Sequence, residues 1–267
     1  STSAVRQLAC SSDDRYLAGS DDAGRLAVWD LPTGTLTTTV KQPSSLDFLT
    51  WGAIVASDRK MGPRAKYHFF SGSGSRVNCH TLEFDVHTMQ YRVHTERMQF
   101  PSSGLSRTYL CGELQGDDAA YLVCGTSAGE LAIFNTATHV FRACVPVSCG
   151  GMLAIDTLET AEGCVVYCGC GDGKVKALLG KDMEWRVVAE AVLGGGGKVR
   201  SLNHDASGTR LLATTSTGEV YVMDAMTLAP AAGLPVPMIS AHCAPLHCVA
   251  FGESSEVAAV AAANGTT

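Results

Sequence analysis

This chain of 267 residues has little charge, no long apolar run and no helical periodicity. No apolar stretch approaches the ~18 residues that a membrane-crossing helix requires, so no helical span and no membrane partner are expected. Apolar residues do not recur at helical spacing, and no helix is expected anywhere. Charged residues make up only 17%, and they lean acidic, with 26 Asp and Glu against 20 Lys and Arg. A general nucleic-acid binder usually shows the opposite balance, so no nucleic-acid partner is expected. No signal-peptide pattern opens the sequence. Its eleven cysteines are not gathered in a short loop-rich scaffold; Cys111, Cys124, Cys168, Cys170 and Cys248 sit in apolar stretches. Reduced thiols and an intracellular compartment are the expectation. Apolar residues, at 46%, are ample for a core and too many for a disordered tail.

The organising stretch is Val5 to Val40. Four short apolar-rich runs begin at Val5, Tyr16, Arg25 and Thr35, with Asp, Gly and Pro at each bend. That pattern predicts a four-stranded antiparallel meander. Its third run ends in Trp29-Asp30, the signature of a WD repeat. Along that run Leu26 and Val28 point one way, Ala27 and Trp29 the other, which makes both faces apolar. Such a sheet needs a neighbour on each side, and stacking in a β-propeller provides one.

The unit recurs. The glycine of the tight turn, Gly24, reappears as Gly74, Gly129, Gly173, Gly218 and Gly265, at steps of 50, 55, 44, 45 and 47 residues. Glycine suits a two-residue hairpin turn because positive φ is needed there. The expected blades are 5–40, 44–98, 105–145, 151–193, 199–238 and a partial sixth over 242–267. The fold class is therefore all-β: a WD40 β-propeller with five full four-stranded blades and a truncated sixth, in one domain. WD propellers resemble seven-bladed rings, so the sequence reads as a segment of a longer polypeptide. An open ring would leave bare sheet edges.

Chemical motifs are weak. Cys164, Cys168 and Cys170 lack a second paired ligand set at zinc spacing and read as small buried strand residues. His242-Cys243 and His247-Cys248 invite a metal reading. Yet His242 falls just before a first strand, where WD repeats carry a structural histidine, and no metal is expected. Gly194–Gly197 with Lys198 lacks the Ser or Thr and the helix of a phosphate-binding loop. Gly169–Gly173 is a hairpin rather than a strand-to-helix turn. Asp13-Asp14, Asp21-Asp22 and Asp117-Asp118 read as turn residues. Asn264-Gly265-Thr266 matches a glycosylation sequon that a cytosolic chain would not use. No nucleophile elbow, no cofactor, no small-molecule substrate and no catalysis are expected. One stretch invites a functional reading: the insert carrying Arg59, Lys60, Arg64 and Lys66, either a contact for an acidic partner or a solvated loop.

Two stretches carry a finer resemblance. Gly125-Thr126-Ser127-Ala128-Gly129-Glu130-Leu131, after Tyr121-Leu122, is similar to a third-blade stretch of the cilia- and flagella-associated protein fifty-two family. Leu82-Glu83-Phe84-Asp85-Val86, with its hairpin to Gln90-Tyr91-Arg92, resembles the same family, which consists of WD-repeat proteins inside doublet microtubules. The sequence departs from it at the Arg59–Lys66 insert and at His242; the latter also suits a related centriolar and ciliary WD-repeat family. The resemblance implies a structural scaffold of the axoneme in cilium or flagellum, with tubulin and neighbouring doublet-microtubule proteins as partners. The alternatives are a centriolar microtubule-associated protein and a cytosolic WD adaptor in RNA processing or ubiquitin transfer.

Overall fold

The computed structural model describes residues 3–56, 65–100, 104–116, 119–181, 184–238, 244–252 and 258–262. Among these residues every element is a β-strand. The first sheet is β1 (Val5–Cys10), β2 (Tyr16–Asp21), β3 (Arg25–Asp30) and β4 (Thr35–Lys41), paired in chain order. The second is β5 (Phe48–Ala56), β6 (Ala65–Ser73), β7 (Arg76–Asp85) and β8 (Gln90–Arg97), and the third is β9 (Tyr109–Gln115), β10 (Tyr121–Thr126), β11 (Glu130–Asn135) and β12 (Val140–Pro146). The fourth is β13 (Met152–Thr160), β14 (Gly163–Cys170), β15 (Lys174–Lys181) and β16 (Glu184–Val192). β17 (Val199–His204), β18 (Arg210–Thr215) and β19 (Val220–Asp224) make the fifth, and β20 (Leu246–Phe251) pairs with β21 (Ala258–Ala262) in the sixth. The chain falls into two compact units, one within Ser1–Leu114, Asp118–Leu122 and Phe134–Arg142, the other within Gln115–Asp117, Val123–Ile133 and Ala143–Thr267.

Inside each unit the sheets pack face to face, for the reason given by their alternation. In the first unit Tyr16, Ala18, Leu26 and Val28 bury against Leu49, Trp51, Tyr67, Phe69 and Leu82 of the second sheet. Ala27 and Trp29 take the other face of the first sheet, beside Leu8, Gly19 and Leu36. In the second unit Val165, Tyr167, Val175 and Ala177 of the fourth sheet meet Leu202, Leu211, Ala213 and Tyr221 of the fifth. Leu212, Val220 and Val222 then meet Leu246 and Val249 of the sixth. Full burial of each large aliphatic or aromatic side chain stabilises by roughly 1.5–3 kcal/mol, so these interfaces dominate the energetics. The first strands of successive sheets lie together, β1 with β5, β13 with β17 and β17 with β20. The fourth strands β4, β8 and β16 are mostly solvent-facing.

The tight turns follow the glycine argument. Gly24, Gly74, Gly129, Gly173 and Gly218 all have positive φ, between 56° and 85°. A side chain at Gly24 would also meet the Ser44 carbonyl, and one at Gly129 the Ser148 carbonyl, so backbone approach adds to the dihedral requirement. The carbonyls of Gly24, Gly129 and Gly173 accept the N–H groups of Gln42, Val147 and Leu193, just past each fourth strand. Gly265 lies outside the described residues.

The fifth blade differs from the expectation of a full four-stranded sheet. Three strands form, and the segment after Asp224 reduces to one isolated bridge, Met223 with Pro230. Ala229, Ala231 and Met238 still bond to Asp224, Val222 and Val220. Pro230, Pro235 and Pro237 carry no N–H, so a regular ladder cannot continue between those points. The third blade begins its first strand at Tyr109 rather than near Leu105. Residues 98–100 and 104–108 before it lie outside any strand, as a strap in which Gln99 bridges Val140 in parallel.

Candidate protein-interaction site

The insert lies between β5 and β6. Arg59, Lys60 and Arg64 fall outside the described residues, as do His242 and Asp117-Asp118. Lys66 lies on β6, where its Nζ pairs with Glu83 Oε2 at 2.8 Å. One of the four expected cations is therefore already matched by a carboxylate, with both side chains partly exposed. Such a pair contributes about 0–1 kcal/mol.

Beside Lys66 the first two sheets enclose a cleft of about 400 Å³, lined by Arg15, Tyr16, Ala65, Tyr67, Leu82, Glu83, Phe84 and Tyr91. Arg15 comes from the β1–β2 turn, Tyr16 and Tyr67 from the starts of β2 and β6, and Tyr91 from the start of β8. The rings interlock. Tyr16 meets Tyr67 edge-on at 4.8 Å and Tyr91 at 6.0 Å, and Trp51 stacks behind at 6.3 Å. Trp51 is itself held by Nε1–H donating to the Ala9 carbonyl at 2.8 Å. This packing fixes the phenols in the lining of the cleft.

The polar tips form a defined pattern. The Tyr16 and Tyr91 hydroxyls bond at 3.0 Å, which uses one of their two protons and leaves the other for a further acceptor. Tyr67 donates to Asp13 Oδ2 at 2.8 Å. Asp13 also accepts the Ser11 hydroxyl at 2.7 Å and the Arg15 N–H at 3.2 Å. Burial would raise the Asp13 pKa, but these hydrogen bonds outweigh it and hold the carboxyl below its ordinary value. Burial first, and then the bond to Tyr91, pushes the Tyr16 phenol up. Burial and the bond to Asp13 do the same for Tyr67. Both phenols are thus protonated donors at neutral pH. The Arg15 guanidinium lies 5.2 Å from the Tyr16 ring centroid, half exposed, with Asp30 as its acidic partner at 3.7 Å. Asp13 and Glu83 are already engaged, so the cleft offers donors and a cation to whatever enters it.

Sequence reasoning found Lys66 and missed Arg15, Tyr16, Tyr67 and Tyr91. Nothing in linear spacing links them, since they meet only when the first sheet packs on the second. The conspicuous cysteines are accounted for by burial. Cys164, Cys168 and Cys170 are fully buried thiols facing backbone carbonyls at 3.7–3.9 Å, and burial pushes Cys170 up to about 11. His247 and Cys248 are exposed on β20. Among the described residues no group of three His, Cys, Asp or Glu side chains is placed to hold a metal ion. Gly195 belongs to a loop tied to the Tyr221 hydroxyl at 3.3 Å, and a strand follows Lys198.

Another repeated device went unread in the sequence. At the ends of β3, β11 and β19, Asp30, Asn135 and Asp224 each accept both the N–H and the hydroxyl of a threonine three residues on, Thr33, Thr138 and Thr227. Asp85 makes a related turn through the His87 and Thr88 N–H groups. The WD aspartate is thus a turn cap in this chain.

No protein-family model and no curated protein matches the sequence. Solved structures do. A Myceliophteria thermophila Cps50 (Swd1) β-propeller domain aligns at TM-score 0.73 and 11% identity, over 98% of this chain and 81% of that one. A chain of a mitotic checkpoint complex aligns at 0.71 and 15%, over 99% and 73%. U3-55K aligns at 0.70 and 15%, over 98% and 74%. At such identities the likeness speaks to architecture, and with the six successive antiparallel sheets it establishes that this chain has the WD-type β-propeller fold.

Proposed function

We propose that the chain is a protein-interaction scaffold whose Arg15–Tyr91 cleft receives an acidic side chain of a protein partner. The observation that carries this reading is the donor pattern: a half-exposed guanidinium and an unspent phenolic proton, with the nearby carboxylates already engaged. A bound carboxylate would accept from Arg15 and from the Tyr16–Tyr91 pair. The fold supports the scaffold part of the reading, because short turns on a stable body present several binding surfaces. Binding of a Glu-rich peptide to the chain, followed by calorimetry, tests it. Arg15→Glu is expected to weaken binding by about tenfold or more, as loss of a charge-assisted bond implies. Unchanged affinity in that variant would remove the cleft from the site.

The finer reading, a ciliary doublet-microtubule scaffold contacting tubulin, rests on the resemblance of Gly125–Leu131 and Leu82–Val86 to that family. Tubulin surfaces are acidic, which suits the same cleft. Under this reading the tagged protein stays with detergent-extracted axonemes and leaves under high salt. Recovery in the soluble fraction would favour a cytosolic adaptor, and recovery at basal bodies the centriolar alternative.

A further inference from the structure

A second cleft, of about 160 Å³, lies where the strap before β9 passes the second sheet, lined by Arg97, Phe100, Ser106, Arg107 and Phe141 among others. Its floor is aromatic. Phe100 packs on Tyr109 at 5.8 Å and on Phe134 at 5.2 Å, and Phe134 packs on Phe141 at 5.6 Å. Each ring of the outer pair carries an arginine: Arg97 lies 6.0 Å from the Phe100 centroid and Arg107 5.9 Å from that of Phe141. Arg107 is braced by its Nη1 donating to the Leu105 carbonyl at 3.4 Å. Arg97 is exposed and makes no ion pair among the described residues. Two planar cations are therefore held over rings on the walls of one small cleft, with Ser75 and Ser106 also in its lining.

We propose that this cleft binds a phosphate monoester carried on a side chain of a protein partner. Volume argues first. Small-molecule pockets run to roughly 300–1,000 Å³, so this one suits a single head group rather than a whole ligand. Donor count argues next. A carboxylate is satisfied by the fork of one guanidinium, whereas a phosphate monoester has three terminal oxygens and a charge near −2 that two guanidiniums match. The aromatic floor argues third, since it limits how far either arginine must be ordered on binding. The exposed Leu105, also in the lining, offers an apolar contact to a residue flanking the phosphate.

Nuclear magnetic resonance of the labelled chain, following the arginine Nε–H signals, tests the proposal with two probes: inorganic phosphate and a short phosphoserine peptide. Expected is a joint movement of the Arg97 and Arg107 signals on one binding curve for each probe. Acetate at matched ionic strength should need about tenfold more ligand, reflecting the second guanidinium. Arg97→Gln, an exposed substitution, should weaken phosphopeptide binding by about fivefold or more while leaving the thermal midpoint in place. Equal response to acetate or chloride overturns the proposal. So does movement with inorganic phosphate but not with the peptide, which would mark an adventitious ion only.

Discussion

Acidification from pH 7.5 to 5.0 should weaken this protein through one buried imidazole. His80 on β7 is fully buried, between Ser71 Oγ at 2.8 Å from Nε2 and Thr95 Oγ1 at 2.9 Å from Nδ1. It stacks on Phe69 at 4.7 Å. Both of these partners are hydroxyls rather than carboxylates, and burial holds its pKa down to about 3 from the ordinary 6.5. The folded state therefore binds fewer protons than the unfolded one between these values, so stability rises with pH across that window. The contribution is complete above pH 6.5 and is lost as pH falls toward 3. Linkage over 7.5 to 5.0 gives about 2 kcal/mol, all from protonating the unfolded imidazole. At this chain length 1 kcal/mol moves the melting temperature by about 2 °C, so the expected drop is about 4 °C. Other groups titrate in the same range, and His80→Gln separates them. That variant keeps a hydrogen-bonding side chain but cannot titrate. At pH 7.5 it should be less stable by roughly 1–3 kcal/mol, for a lost stack and an imperfectly paired hydroxyl. At pH 5.0 the gap to the parent should close by about 2 kcal/mol. Urea titrations at both pH values measure it, and a gap that stays constant would refute the reasoning.

Asp205, in the turn before β18, gives the acid-side counterpart. Burial would raise its pKa, but the Arg210 and Thr209 N–H groups and the Ser207 and Thr209 hydroxyls hold it at about 2. Its stabilisation should thus be complete above pH 4 and vanish as pH falls through 2; Asp205→Ala should lose roughly 2–3 kcal/mol at pH 7 by calorimetric melting. Gly129→Ala should cost about 3 kcal/mol, combining positive φ with overlap on the Ser148 carbonyl, and chemical denaturation reads it. Trp51→Phe removes the bond to Ala9 and should lower stability by about 1–2 kcal/mol while loosening the tyrosine cleft, visible as faster amide exchange at Tyr16.

Why the blades could be read and the cleft could not is a matter of range. Strand alternation and turn chemistry act over a few residues, so β3 and β20 appear in the structure at the bounds their sequence implies, Arg25–Asp30 and Leu246–Phe251. The cross-sheet meeting of Tyr16 with Tyr67 and Tyr91 depends on which face packs where, and no local pattern encodes it. The fifth blade shows an intermediate case. Pro230, Pro235 and Pro237 stand openly in the sequence, and their missing donors decide against the fourth strand that the hairpin pattern alone implies. The threonine caps after β3, β11 and β19 leave a local trace as well, an Asp or Asn followed three places later by Thr.

The bonds from three corner glycines to the residue just past their sheets bear on how such chains tolerate change. Gln42, Val147 and Leu193 are anchored to Gly24, Gly129 and Gly173 before the backbone departs for the next module. Length differences that arise after those anchors are absorbed outside the ladder, so no upstream pairing has to slip. Unequal spacing after these three sheets is then mechanically neutral, and the segments that follow them are free to diversify without disturbing the body that carries them.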